Sequence, residues 1–242
     1  MDNPDSKYHK FQEVDHAGHA ILSLEDKEHL PHVLIKERPD NKSIPGFLKA
    51  ASHKNVVSLL SAFHHSGVVS LVYECDYVNM TVASVSGCAE FKETDIATVC
   101  REVLQGLEYI HSELRIAHGS VNDKNVLLTL SGDVKIANIG DSMLNAMTLR
   151  DRDLDLKAVG KIAMNLQDRS TKLENLDVEH WTSNTASDSI RQFIKNTGEQ
   201  TMNVLLKHDF LTLSGPSWTL KPYIMAALKF DSASRRAMGF KD

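Results

Sequence analysis

The sequence has few of the features that mark secreted or membrane proteins. Its three cysteines, Cys75, Cys88 and Cys100, show no CxxC spacing, and their odd number predicts reduced thiols rather than a disulfide framework. No run of about eighteen apolar residues is present, so we expect no membrane span. The first twenty residues are polar and contain no secretory signal. These absences predict a cytoplasmic or nuclear protein.

The charge balance gives no sign of a nucleic-acid partner. The formal net charge is -5, and the 42% hydrophobic content is ordinary for a globular protein. With 242 residues the chain can bury a substantial core, as one large domain or as two packed lobes. Because it starts at Met1, we expect a complete small protein.

The hydrophobic pattern changes along the chain. Strand-like apolar runs fill the first part, at 20–24, 32–36, 56–63 and 68–73, and a short helix is expected at 47–51. Helical stripes dominate the second part, at 94–114, 154–166, 189–207 and 222–230, with two short strands at 126–128 and 134–136. A β-rich part therefore precedes an α-rich part.

The most informative stretch is His118 to Leu128, which reads HGSVNDKNVLL and is followed by Asn138-Ile139-Gly140. It resembles the catalytic loop and the Asp-Phe-Gly motif of the eukaryotic protein kinase superfamily. Six further pieces are similar to that superfamily and follow its order: 33–36, 53–57, 104–112, 132–137, 155–160 and 205–211. The resemblance implies an α+β, bilobal protein-kinase-like fold. A small β-rich lobe with one helix would span 1–78, and a larger α-helical lobe, with a shortened activation segment and C-terminal region, would span 79–242.

The resemblance also implies that the groups which perform the chemistry are replaced. Ser120 stands at the position of the catalytic Asp, Asn122 at the catalytic-loop Lys, and Asn138 at the metal-binding Asp. A serine cannot accept the substrate proton at neutral pH, and an asparagine lacks the charge that makes a magnesium site bind. We therefore expect no intact catalytic residue, no metal site, and weak or absent binding of ATP and magnesium.

The nucleotide side is degenerate in the same way. The stretch 15–20 keeps one glycine of the glycine-rich loop, and Leu34 replaces a small Ala, so that it should fill part of the adenine pocket. Lys36 and Asn125 remain as candidates for cofactor binding. Lys36 has no acidic partner near Ser43 or Ile44, where the family helix would supply one, and is interpreted as a solvated side chain.

Other polar residues fit structural roles in the resemblance. His118 would pack in the hydrophobic spine, and Asp155 would anchor the catalytic-loop backbone. Asp123 and Asp141 each lie three residues from a lost carboxylate and would need a rearranged loop to replace it. The twelve histidines show no recognised metal-ligand spacing and are interpreted as turn and surface residues.

The resemblance thus implies a pseudokinase and not an enzyme. Such a protein would act in signalling as a scaffold or allosteric regulator by binding another protein, for example an active kinase or a signalling receptor. An alternative is a nucleotide-binding kinase-fold enzyme with residual or altered phosphoryl or nucleotidyl transfer, carried by Lys36 and Asn125 with Asp141 on the metal. A third reading is a switch that binds ATP without metal or turnover. An exposed Trp181 or Trp218 would mark a partner site.

Overall fold

The computed structural model describes residues 4–40, 48–76, 78–168, 178 and 181–237. Within these residues the strands are β1 Tyr8–Asp15, β2 His19–Glu25, β3 His32–Pro39, β4 Ala51–His53, β5 Val56–His65, β6 Val68–Glu74, β7 Asn79–Thr81, β8 Val126–Thr129 and β9 Val134–Ile136. The α-helices of the same residues are α1 Val82–Cys88, α2 Glu93–Tyr109, α3 Ile139–Leu144, α4 Arg152–Gln167, α5 Asp188–Glu199, α6 Met202–Leu205 and α7 Lys221–Ala237. A π-helical turn, Ile110–Leu114, continues α2.

The small lobe is an antiparallel sheet with strand order β1-β2-β3-β6-β5, and β4 pairs with β5. Successive side chains of a strand point to opposite faces. In β3, Val33 and Ile35 therefore pack on one face with Tyr8 and Val72, in a cluster of their own. Leu34 packs with the main core on the opposite face, and alternation directs Lys36 to that face as well. The period of β3 thus positions Lys36 on the side of the sheet that faces the second lobe.

The two lobes are joined through the sheet itself. Val56 of β5 pairs in parallel with Ile136 of β9, and the Ile136 amide donates to the carbonyl oxygen of Asn55 at 2.9 Å. Strands β9, β8 and β7 continue the sheet as antiparallel neighbours. Because Asn138 follows β9 by two residues, the pairing of β5 with β9 brings Asn138 close to Lys36 of β3.

The large lobe is built on contacts between α2, α4 and α5. Close helix approach explains one glycine of the sequence pattern: a Cβ at Gly160 of α4 would overlap Thr197 Oγ1 of α5. Thr197 is buried and its hydroxyl donates to the carbonyl oxygen of Ile194 at 2.6 Å, so it has little room to move. Gly160 is therefore required by helix packing.

The architecture is the α+β, bilobal kinase-like fold that the sequence predicts. The expected helix at 47–51 is wrong where the structure describes it, because 48–50 carry no helix and Ala51 begins β4. Residue 47 lies outside the described residues. The helix expected at 189–207 is two helices, since Gln200 adopts an extended conformation and ends α5. The boundary between the lobes at residue 78 stays a prediction. None of the helices in the described ranges is long and apolar enough to cross a membrane.

Candidate functional site: the cleft between the lobes

Lys36 is not a solvated side chain, and this corrects the prediction. It is 2% exposed, and its Nζ donates to the carbonyl oxygens of His16 at 2.6 Å and Ala17 at 3.0 Å, and to Oδ1 of Asn138 at 2.6 Å. Burial, reinforced by the charge of Arg38, lowers the pKa of Lys36 to about 8. Protein oxygens therefore satisfy the ammonium at the position where the resemblance implies phosphate oxygens.

The loop that meets Lys36 has a strained backbone. Ala17 has φ 49° and Gly18 has φ 97°, both in the left-handed region. For Ala17 this conformation costs roughly 1–2 kcal/mol, because the Cβ approaches the following carbonyl. Hydrogen bonds to the Ala17 carbonyl oxygen from Lys36 Nζ and from Asn138 Nδ2, each at 3.0 Å, offset that cost. The stretch matched to the glycine-rich loop is thus tied to both lobes.

His16 adds a further bond across the cleft. Its Nε2 lies 2.7 Å from Nδ2 of Asn79 in β7, and this amide nitrogen also donates to the carbonyl oxygen of Asp76. Nε2 is therefore the acceptor and the imidazole is neutral. Burial, followed by the charge of Lys36, lowers the pKa of His16 to about 4. Sequence reasoning missed His16, because it considered only the missing glycines of residues 15–20. We call this stretch the glycine-poor loop.

Asp141 does not take the place of the lost metal ligand in this structure. Its two carboxylate oxygens accept from Nε and Nη2 of Arg38 at 2.8 and 2.9 Å. The bidentate bond raises the pKa of Arg38. The neighbouring Gly140 amide donates to the hydroxyl of buried Tyr73 at 3.0 Å. Arg38 thus binds β3 to the start of α3, and Tyr73 binds β6 to it. Both carboxylate oxygens of Asp141 accept hydrogen bonds from Arg38.

The catalytic-loop backbone is anchored from α4. The buried carboxylate of Asp155 accepts from the amides of His118 and Gly119, both at 2.7 Å, and lies 2.9 Å from Nε2 of His111. His118 is buried among core residues, and burial lowers its pKa. Its Nε2 donates to the carbonyl oxygen of Ala137 at 2.8 Å. This geometry fits the structural roles predicted for His118 and Asp155.

The remaining loop residues mostly bond to the loop itself. Ser120 is exposed, and its Oγ lies 3.4 Å from Nδ1 of His118. Asn122 Oδ1 accepts from the amides of Lys124 and Asn125, as in an Asx turn. Asn125 donates to the carbonyl oxygen of Ser120 at 2.7 Å and accepts from Asn138 at 2.9 Å. Cofactor binding by Asn125 and the loss of catalytic groups at Ser120 and Asn122 stay predictions.

Asp123 faces away from the cleft. Its Oδ2 accepts from Nδ2 of Asn165 in α4 at 2.8 Å, and burial raises its pKa. In the described part of the chain, no group of three His, Cys, Asp or Glu side chains is placed to hold a metal ion. In this conformation Lys36, the candidate for nucleotide binding, and Asp141, the possible replacement for a metal ligand, do not fit ATP and magnesium, because both are bonded to protein atoms.

A second cleft, which sequence reasoning missed, lies in the large lobe. Its volume is about 800 Å³, and it is bordered by the end of α2, the start of α4 and the α5–α6 connection. Arg115, Arg152 and Glu199 line it together with Leu154, whose side chain is 62% exposed.

Known proteins resemble this chain over parts of its length. Residues 45–149 match the protein kinase domain family. A serine/threonine-protein kinase 10 of Xenopus tropicalis is 48% identical over 62 residues, covering 26% of this chain and 6% of that protein. Serine/threonine-protein kinase pak-1 of Caenorhabditis elegans is 27% identical over 147 residues, covering 57% of this chain and 25% of that protein. The fold is kinase-like. The matches support a relation of this chain to the protein kinase superfamily. The chain covers only a small share of the length of these relatives.

The expectation that the chain is not an enzyme is corrected by this comparison. The relatives are named as serine/threonine-protein kinases, including a probable serine/threonine-protein kinase mkcD of Dictyostelium discoideum that is 32% identical over 111 residues, or 46% of this chain and 17% of that protein. Such relatives point to an enzyme. The replaced residues Ser120, Asn122 and Asn138 do not by themselves establish a loss of activity.

Proposed function

We propose that this chain is a kinase-fold signalling protein that acts by binding another protein, with its nucleotide cleft closed at rest. The observation that carries the proposal is the triple hydrogen bond of Lys36 to His16, Ala17 and Asn138. A phosphate group and these three oxygens compete for the same ammonium. Nucleotide therefore enters only when the loop moves.

Two exposed features support a protein partner. The large-lobe cleft of about 800 Å³ combines the guanidinium groups of Arg115 and Arg152 with the exposed Leu154. Trp218, one of the two tryptophans whose exposure was to mark a partner site, is 62% exposed. Exposed aromatic and arginine side chains are enriched where proteins bind one another.

A thermal-shift titration tests the closed cleft. A ligand present at a hundred times its dissociation constant stabilises the folded state by about 2.7 kcal/mol. We expect no shift of the melting temperature at millimolar ATP, with or without magnesium. A saturable shift would contradict the closed resting state.

Capture from the native cell tests partner binding, with the wild-type protein beside two variants. Leu154→Asp places a charge in the large-lobe cleft, and Leu130→Asp is the matched control, because Leu130 is a similarly exposed leucine outside the cleft lining. A protein held by wild type and Leu130→Asp but lost from Leu154→Asp supports the proposal. Identical recovery with all three proteins would exclude this cleft as the partner site.

Phosphoryl transfer is the second candidate function, and the names of the relatives favour it. Lys36 and Asn125 would have to contact the nucleotide, and Asp141 would have to leave Arg38 to reach a metal ion. ATP and magnesium would supply the phosphoryl group and the charge that neutralises it. The test incubates the purified protein with γ-labelled ATP and a protein substrate. Transfer of label that is lost in the variant Lys36→Met supports this candidate. If neither the protein nor the substrate becomes labelled, the candidate is excluded.

A further inference from the structure

We infer that Asn138 is the residue that locks the cleft, and that its amide has gained this function where a carboxylate would bind metal. The inference rests on the proposed function, since it names how the closed state of the cleft is held. It assigns to one side chain the bonds that join the glycine-poor loop, β3 and the catalytic loop.

The neighbours of Asn138 fix the orientation of its amide. Lys36 Nζ is only a donor, so the atom facing it at 2.6 Å is Oδ1. The carbonyl oxygen of Ala17 is only an acceptor, so the atom facing it at 3.0 Å is Nδ2. The same nitrogen donates to Oδ1 of Asn125 at 2.9 Å. Both ends of the amide are therefore satisfied, each by a partner of the opposite kind.

A carboxylate of the same shape cannot make these bonds. It would keep the contact with Lys36, but its second oxygen would face the oxygens of Ala17 and Asn125, and both are acceptors. Asn125 cannot easily reverse, because its own Nδ2 donates to the carbonyl oxygen of Ser120 at 2.7 Å. Replacing the amide by a carboxylate thus removes two hydrogen bonds and sets oxygen against oxygen.

The backbone at the locked positions agrees with this function. Asn138 has φ 70° and ψ 26°, a left-handed conformation that asparagine adopts more readily than most residues. Ala17, whose carbonyl oxygen receives the bond, is also left-handed. Both strained residues lie at the two ends of one hydrogen bond, so release of that bond lets the loop relax.

Hydrogen–deuterium exchange of the segment 15–20, without nucleotide or partner, tests the lock. The variants are Asn138→Asp and the control Asn145→Asp. The control adds the same charge at an exposed position directly after α3. Loss of two hydrogen bonds should speed exchange of the segment 15–20 by about tenfold or more. We expect this acceleration in Asn138→Asp and none in Asn145→Asp.

If Asn138→Asp does not fold, the same exchange measurement is made on Lys36→Met. This variant removes the donor shared by the carbonyl oxygens of His16 and Ala17. Unchanged exchange of 15–20 in the folded variant would overturn the inference. So would equal acceleration in Asn145→Asp. The proposed function fails differently, by binding of ATP to the wild-type protein or by absence of a partner, and neither result enters this measurement.

Discussion

Two loops of this molecule are each held by a buried charge, and the two cases differ in what that charge replaces. Asp155 accepts two backbone amides of the catalytic loop, at the place where the family resemblance predicts a carboxylate anchor. Lys36 donates to two backbone carbonyls of the glycine-poor loop, at the place where the resemblance predicts phosphates. The first contact is made by the residue type that the resemblance predicts. The second fills a ligand position with the protein's own oxygens.

The catalytic loop and the glycine-poor loop are thus held by different kinds of contact. Core helices α2 and α4 position the catalytic loop, because that task needs only backbone amides and one buried carboxylate. In the cleft, the polar groups of Lys36, Asn138 and Asp141 are bonded to other groups of the protein in this conformation.

The largest expected effect is at the anchor, in Asp155→Ala. The change leaves the buried amide of His118 and the amide of Gly119 without their acceptor, and we expect a loss of roughly 3–5 kcal/mol in the free energy of unfolding. Urea denaturation measures it. The control Asp153→Ala, whose side chain is 78% exposed on the same helix, should stay within about 0.5 kcal/mol of wild type. A loss below about 1 kcal/mol for Asp155→Ala would mean that it does not anchor the loop.

The next effect is a pH dependence from the cleft. His16 has a pKa of about 4 in the folded protein and an ordinary value of 6.5, so the unfolded chain binds more protons between these pH values. Stability contributed by neutral His16 is therefore complete above pH 6.5 and is lost as the pH falls toward 4. At pH 5 the loss relative to pH 7 is about 2 kcal/mol.

The variant His16→Gln isolates this effect, since glutamine keeps an acceptor for Asn79 and does not titrate. Unfolding curves at pH 7 and pH 5 should show wild type losing about 2 kcal/mol more than the variant. The other buried histidines are common to both proteins and cancel. Parallel losses in the two proteins would show that His16 is not held neutral in the cleft.

A smaller effect concerns the scaffold, in Gly160→Ala. Overlap of the new methyl group with Thr197 should cost about 1–3 kcal/mol, and the better helix propensity of alanine should return about 1 kcal/mol. We expect a net loss of about 0–2 kcal/mol by thermal or urea unfolding. In a Thr197→Ala background, Gly160→Ala should become neutral or stabilising. A loss that persists in that background would place the strain elsewhere.

The smallest effect is the ion pair between Arg38 and Asp141. The side chains are 30% and 23% exposed, so solvent screens them, but the contact is bidentate. A double-mutant cycle with Arg38→Leu and Asp141→Asn should give a coupling energy of about 1 kcal/mol at low salt. The coupling should weaken at about 1 M salt. A coupling energy of zero at low salt would show that this ion pair does not help to close the cleft.

Periodicity predicted most of the fold because most elements bury one face. Strands β2, β3, β5 and β6 and helices α2, α4 and α7 lie where apolar spacing placed them. Strand β1 was not predicted, since Tyr8 is the one fully buried residue of its eight. The helix at 47–51 was predicted from a short apolar run alone, and Ala51 instead begins β4 and pairs with Leu59 of β5.

The candidate site was predictable in its positions and not in its bonds. Motif order indicated which loops carry Ser120 and Asn138, because these loops follow well-defined helices and strands, and the roles of these residues and of Asp155 stay predictions. Lys36 was misjudged because a search for an acidic partner in the sequence cannot reveal backbone carbonyls. Those carbonyls come from Ala17 and His16 only when the loop folds inward, which is a tertiary property.

The most direct test of the account is the ammonium signal of Lys36 in a proton–nitrogen NMR spectrum, assigned by its loss in Lys36→Met. In the closed cleft this signal should exchange slowly with water, because Nζ is buried and donates to three oxygens. It should titrate with a pKa of about 8, because burial and the charge of Arg38 disfavour the ammonium. A fast-exchanging signal with a pKa near the ordinary value of 10.5 would contradict the closed cleft.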